Sequence, residues 1–213
     1  MNLVAPADYI PGFIKDADYV FKTLRQDLAW IRHDKVPRSE YYVNDTVAPY
    51  KYGDPRFART YEPQPWHPIL REHQTTVSTR LNANLDVCFL NMYEDGKDQL
   101  GWHADDSPEM DPHQPIVSVS FGEEREIMVR PNETQARIMV EQHMLANEGG
   151  HMTAENQKEL FLVYRKPEII MLEHGSMFVM RPGMQQTHEH RIPKSSKHVC
   201  GPRLSETWRH YLE

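Results

Sequence analysis

Cysteine is scarce in this chain, with only Cys88 and Cys200 among 213 residues. Two isolated thiols cannot build a disulfide framework, and they form no paired metal-type spacing. Long apolar runs are missing too, and no stretch approaches the roughly 20 residues that cross a bilayer. The first residues, MNLVAPADYIPGFI, have no basic start leading into an apolar segment. No secretory signal is expected, and an intracellular setting fits, cytoplasmic or nuclear. Internal repeats and low-complexity tracts are absent. Basic charge is also in deficit, with a formal net charge of -7. A strongly basic nucleic-acid-binding surface over the whole molecule is thereby excluded. The deficit is uneven: residues 1–80 carry 11 basic and 10 acidic side chains, whereas residues 81–213 carry 13 and 21. A local basic surface is therefore expected in the N-terminal part, if anywhere.

What remains is an ordinary globular composition, 39% hydrophobic and 26% charged, and long enough for a sizeable core. Residues 14–30 place apolar side chains near helical spacing, with Asp16 or Asp18 as N-cap. Residues 67–83 read as a second helix. Between them, residues 31–66 are rich in Tyr, Pro, Asp and Arg and read as short strands and loops. From Asp86 the pattern changes to strands at 86–93, 99–105, 115–121, 126–130, 168–172, 176–180, 187–192 and 203–211. Turn residues such as Gly122, Gly175 and Pro182-Gly183 separate them. Residues 131–165 interrupt this run as an insertion, part helix and part loop. Short strands at close spacing point to an antiparallel sandwich or barrel.

Twelve histidines stand in the chain. His103-Ala104-Asp105 puts two ligand-type side chains at i and i+2, the same face of an extended strand. A third ligand from a distant strand would complete two histidines and one carboxylate. Such a facial set leaves positions open on a non-haem iron. His174, His188, His190 and His198 are the candidates. His174 precedes a turn glycine, a poor place for a rigid ligand, and spacing alone does not separate His188 from His190. By itself, H-x-D is a common tripeptide of no function. Arg203 and Arg209 sharpen it, because they also share a strand face. A dicarboxylate cosubstrate needs a cation for its far carboxylate, and arginine's fork suits it.

In order along the chain stand Asn91-Met92-Tyr93, Gly101-Trp102-His103-Ala104-Asp105-Asp106, Ser118-Val119-Ser120-Phe121-Gly122, Leu172-Glu173-His174-Gly175-Ser176, His190-Arg191-Ile192-Pro193-Lys194 and Pro202–Arg209. This order resembles the AlkB family of Fe(II)- and 2-oxoglutarate-dependent dioxygenases. The resemblance is weak over residues 36–66 and good over 86–213 outside the insertion. It implies an α+β fold: a double-stranded β-helix (jelly-roll) core of antiparallel strands over residues 86–213. Residues 1–85 would supply N-terminal helices and a nucleotide-recognition lid, the whole forming one compact domain. It selects His190 as the third iron ligand with His103 and Asp105. It maps the 2-oxoglutarate residues to Asn91, Tyr93, Arg203, Ser205, Thr207 and Arg209. Here the chain departs from the family's R-x-N-L-T-[FW]-R ending, since Ser205 stands for Asn and Glu206 for Leu.

The activity implied is oxidative demethylation of N-alkylated bases in DNA, or RNA, with formaldehyde, succinate and CO2 as products. Fe(II), 2-oxoglutarate and O2 are the implied cofactors, and nucleic acid, without a membrane, the implied partner of a monomer. A base must leave its stack to reach a buried metal. Tyr50 and Tyr52 are expected in the base pocket, with His103 on the opposite wall, while Trp66 packs the lid. Core packing is the alternative for any one of these aromatics. Arg38, Asp106 and Arg125 are the polar candidates beside the substrate, with support of the neighbouring ligand an equal reading for Asp106 and plain exposure the alternative for Arg125. Two other readings stand beside this one. The same chemistry could act on a protein or small molecule, a reading that the net charge of -7 leaves open. A metal-stabilised binding module without turnover is the second, against which Arg203 and Arg209 argue, since a structural zinc site needs no dicarboxylate clamp.

Overall fold

The computed structural model describes residues 3–46, 49–52, 59–146 and 152–212, the side chains of 51 and 52 excepted. In chain order the elements are β1 (Ala7–Ile10), α1 (Ala17–Asp27), β2 (Ser39–Asn44), β3 (Tyr50–Tyr52), β4 (Arg59–Tyr61) and α2 (Pro68–Leu81). There follow β5 (Val87–Tyr93), β6 (Leu100–His103), β7 (Ile116–Gly122), β8 (Arg125–Pro131), α3 (Glu133–Ala146) and α4 (Ala154–Tyr164). The chain ends with β9 (Glu168–Leu172), β10 (Met177–Met180), α5 (Met184–Thr187), β11 (His188–Ile192) and β12 (Arg203–Arg209).

The strands build a double-stranded β-helix. A larger antiparallel sheet runs β1-β10-β7-β12-β5-β2, and a smaller one runs β6-β11-β8-β9. Both edges of the larger sheet come from the N-terminal part of the chain. β1 is too short to show alternation, and the sequence reading passes over it. Its four residues gain their extended form from pairing with β10, Ala7 opposite Met180 and Ile10 opposite Met177.

Alternation along the central strands explains two separate cores. Cys88, Leu90 and Met92 of β5 join Leu204 and Trp208 of β12 in one cluster, covered by Val20 and Leu24 of α1 and Leu70 and Val77 of α2. Val87, Phe89 and Tyr93 face the other way, into a cluster with Ile127, Val129, Phe178 and Ile192 between the two sheets. The larger sheet is thus buried on both faces, and β5 and β10 read as nearly continuous apolar runs. Leu24, Leu70, Val77 and Leu90 are fully enclosed, each contributing about 1.5–3 kcal/mol relative to exposure.

The helices are shorter than the sequence suggests. α1 stops at Asp27 because Leu28 turns to extended backbone (φ -81, ψ 139). Asp16 occupies its N-cap position, but the side chain makes no capping bond. α2 is better punctuated. His67 accepts from the Ile69 N–H, Pro68 opens the first turn, and Asn82 closes the helix in the left-handed region (φ 50). The insertion folds as the packed helices α3 and α4, which join β8 to β9. Gly122 ends β7 at φ +82, where a Cβ would lie 2.4 Å from the Pro202 carbonyl oxygen. Only glycine closes that turn without strain. Among the described residues no helix is long and apolar enough to cross a membrane.

Candidate metal centre and cosubstrate pocket

β6 and β11 pair so that His103 stands directly opposite His190. Their rings lie 4.2 Å apart, centroid to centroid. The carboxylate of Asp105 completes the group, and the ligand atoms of the three residues lie within 4.8 Å of one another. This is the sole such cluster of three or more among the described residues. The shared strand face expected of His103 and Asp105 is not how the site forms. β6 ends at His103, and Asp105 sits in irregular chain beyond it. Its backbone N–H donates to Gln185 Oε1 (2.9 Å), and its Oδ1 accepts from Arg209 Nη2 (2.8 Å).

Electrostatics prepares the three groups to bind a cation. Burial would raise the Asp105 carboxyl, but Arg209, His103 and His190 outweigh it and hold the group well below the usual carboxylate range. Burial, with His103 alongside, pushes His190 down to about 3, so its imidazole is neutral at physiological pH. His103 donates from Nδ1 to the Gly101 carbonyl (2.9 Å). That bond fixes its tautomer and leaves the Nε2 lone pair free. Two imidazoles and one carboxylate, with ligand atoms converging, fit a non-haem Fe(II).

Beside this group the larger sheet carries a polar stripe. Arg203, Ser205, Thr207 and Arg209 alternate along one face of β12. In register with them stand Tyr93, Asn91 and Phe89 of β5, and Ser120 and Ser118 of β7. Arg203 is 1% exposed. Its Nη2 donates to Ser120 Oγ (2.8 Å), and its guanidinium lies 5.2 Å from the Tyr93 ring. Its Nε and Nη1 have no hydrogen-bond partner. Burial pulls Arg203 down to about 10, so it stays charged at neutral pH. A buried cation with two unpaired donors matches one carboxylate of 2-oxoglutarate.

Glu206 lies on the opposite face of β12. It is fully buried against α2, where His73 Nδ1 donates to it (2.9 Å) and Trp208 Nε1 does likewise (3.1 Å). The Leu-to-Glu departure therefore sits behind the pocket rather than in it.

The pocket over the metal group is lined by Arg38, Tyr50, Tyr61, Phe89, Asn91, Leu100, His103, Asp105 and Arg209. Of the expected substrate residues, Arg38 and Tyr50 are there. Arg38 donates to Asn91 Oδ1 (2.7 Å) and pairs with Glu40 (2.7 Å). Tyr50 stacks with Tyr61 at 6.1 Å, and its hydroxyl is 3.2 Å from Ser107 Oγ. Tyr52 falls in β3, and its side chain lies outside the described residues. The other two expectations place differently. Asp106 is exposed and lines a neighbouring cleft with Ser107, Asp111 and Gln185. Arg125 is buried, and its guanidinium is spent on the carbonyls of Asp95, Asp98 and Pro193. It braces loops and does not line the pocket.

Sequence reasoning missed Tyr61, Phe89, Leu100, Glu40 and Gln185. Tyr61 is one of seven aromatics between residues 31 and 66. In the fold its hydroxyl donates to Glu40 Oε2 (2.9 Å), and burial with Glu40 beside it raises the phenol well above its usual value. Trp66 packs on Trp208 at 6.3 Å, on the helix side of the sheet. The other candidate histidines are engaged elsewhere or exposed. His174 accepts from the Gly122 N–H (2.8 Å) and His188 contacts Thr187 Oγ1 (2.9 Å), while His198 is exposed.

Comparison with known proteins agrees with this geometry. The human protein named alpha-ketoglutarate-dependent dioxygenase alkB homolog 3 is 28% identical over 205 residues, covering 93% of this chain. This chain spans 64% of that protein's length. The mouse protein named DNA oxidative demethylase ALKBH2 is 27% identical over 217 residues, 96% of this chain and 80% of the relative. Among solved structures, OsALKBH1 superposes with a TM-score of 0.61 at 13% identity, covering 99% of this chain and 100% of that one. That likeness concerns the fold alone. The family model described as the 2OG-Fe(II) oxygenase superfamily matches residues 7–209. With the fold, the His-Asp-His group and a match across nearly its whole length, this chain belongs to the 2OG-Fe(II) oxygenase superfamily.

Proposed function

We propose that the chain is an Fe(II)- and 2-oxoglutarate-dependent dioxygenase that oxidatively demethylates N-alkylated bases in DNA, or RNA. Its products are formaldehyde, succinate and CO2. The observation that carries this reading is Arg203, a buried guanidinium with two unpaired donors. It shares a strand face with Arg209, which itself bonds Asp105. A structural metal site has no use for such a cation. The names of the human and mouse relatives, a dioxygenase and a DNA oxidative demethylase, support the substrate class.

In this reading His103, Asp105 and His190 hold the iron. With 2-oxoglutarate and O2 it supplies oxidation of a methyl carbon on a base nitrogen, which then leaves as formaldehyde. The protein's own part is binding and exclusion of water. Arg203 takes the far carboxylate, with Tyr93 packed against it and Ser120 orienting its fork. Asn91, Ser205, Thr207 and Arg209 line the remaining polar wall. Arg209 has a second duty, holding the Asp105 carboxylate in place. Tyr50 and Tyr61, with Phe89 behind, offer flat faces to an unstacked base opposite His103. Arg38 and Glu40 hold the Tyr61 hydroxyl so that its ring stays upright. Tyr52 belongs to the same hairpin as Tyr50, and its expected place in the base pocket concerns a side chain outside the described residues. The enzyme would act as a monomer.

The test is coupled product analysis. Single-stranded oligonucleotides with N-methylated bases are expected to release formaldehyde in step with succinate when Fe(II) is supplied. Formaldehyde from methylated peptides but not from oligonucleotides would move the substrate class to protein. No succinate under any condition would remove the enzyme.

A further inference from the structure

Asp105 has no ladder to hold it. β6 ends two residues earlier, and the pairing between β6 and β11 covers Leu100 and His103 only. The position of its carboxylate therefore depends on the Arg209 bond to Oδ1 and on what its irregular backbone is fastened to. That fastening is Gln185. Its Oε1 accepts the Asp105 N–H at 2.9 Å, while its Nε2 donates to Met180 Sδ at 3.2 Å. Gln185 is 8% exposed.

The element that presents Gln185 is itself pinned. α5 is a single turn, entered through Gly183 at φ 86. Asn132 Nδ2 donates to the Gln186 carbonyl (2.8 Å), and the Asn132 N–H donates to the Thr187 carbonyl (2.9 Å). The chain then runs directly into β11 and reaches His190 five residues after Gln185. Gln185 thus ties the segment bearing Asp105 to the segment bearing His190.

We infer that Gln185 is a positioning residue for the metal: it sets where the Asp105 carboxylate stands relative to His103 and His190. The inference rests on the His103-Asp105-His190 reading of the site. It concerns a residue that touches neither cosubstrate nor substrate. Partners of this kind, one bond behind a ligand, change metal affinity about 10- to 100-fold when removed.

Two substitutions separate the acceptor from the volume. Gln185→Met keeps an unbranched chain of similar size but has no oxygen for the Asp105 N–H. Gln185→Glu restores an acceptor at the same reach. Mn(II) alone is the probe, titrated into the full chain by electron paramagnetic resonance, so that turnover is not the readout. Wild type and His103→Ala are titrated in parallel. Circular dichroism of the metal-free proteins confirms folding, and Gln185→Ala serves if Gln185→Met does not fold. The expected result is Mn(II) affinity lowered about 10- to 100-fold in Gln185→Met and returned to within about threefold of wild type in Gln185→Glu. Affinity in Gln185→Met within about twofold of wild type would overturn the inference, and so would equal weakness in both variants. If wild type itself bound Mn(II) no better than His103→Ala, the ligand reading would fail instead.

Discussion

At the scale of single residues, two buried charges define what can be tested. Arg203 is enclosed with one bond to Ser120 and two donors unpaired. Replacing it by Met removes a charge-assisted pair with the cosubstrate, worth about 1.5–3 kcal/mol. The KM for 2-oxoglutarate is expected to rise roughly 10- to 150-fold, with Mn(II) affinity little changed, as read by succinate formation over a cosubstrate series. The second charge is the His73–Glu206 pair. Burial opposes His73 protonation, but Glu206 overcomes it, with Glu72 and Asp16 assisting, so the imidazole is raised above its ordinary 6.5. A raised folded value means the stabilisation is complete below pH 6.5 and fades as pH climbs through the folded value. His73→Leu leaves Glu206 buried with only the Trp208 N–H as partner, at a cost of about 3 kcal/mol. His73→Leu/Glu206→Leu together should restore most of that and flatten the stability curve on the alkaline side. Denaturant unfolding at several pH values checks both, and an unchanged alkaline slope in the double variant would count against the pair.

Legibility divides along the same residues. His103, Asp105, Arg203 and Arg209 carry their meaning in spacing and in the order of motifs, so a sequence suffices to propose them. His190 needed the family pattern, because His188 stands on the same strand two places away. Gln185, Tyr61 and Glu40 carry no pattern. Each is one polar or aromatic residue in a loop-rich stretch, and its role comes from what the fold sets against it. Arg125 shows the converse: an arginine beside the expected site is consumed by three backbone carbonyls.

At the scale of elements, punctuation decided what could be read. α2 is bounded by His67-Pro68 and Asn82 and was foreseen to within two residues at each end. α1 has no capping bond, and it falls three residues short of the expected span at each end, to a turn before Ala17 and to chain that extends from Leu28. β1 exists because β10 pairs with it, which four residues cannot announce. The turn after β7 is the most demanding of these junctions, since Gly122 sits at positive φ against the Pro202 carbonyl. Gly122→Ala places a methyl in that contact and an L-residue in the left-handed region. Destabilisation of about 1–3 kcal/mol is expected, measurable as a lowered melting temperature. An unchanged melting temperature would mean that the turn relaxes freely.

At the scale of the whole molecule, a formal charge of -7 limits how a polyanion can be held. In the proposed reading such a surface makes few phosphate contacts, and binding of oligonucleotides rests mainly on the aromatic pocket. The KM for a methylated single strand is expected to rise less than about tenfold between roughly 50 and 200 mM salt, the slope of one or two phosphates. A much steeper dependence would place a basic track on the surface that this account does not contain.

The central claim is that the metal group and the arginine stripe form one cosubstrate site. Anaerobic absorption spectroscopy tests it most directly, by adding 2-oxoglutarate to the Fe(II)-loaded protein. The account expects a visible charge-transfer band that saturates with 2-oxoglutarate in the wild type and is lost in Asp105→Ala. No band in the iron-loaded wild type, or an undiminished band in Asp105→Ala, would contradict it.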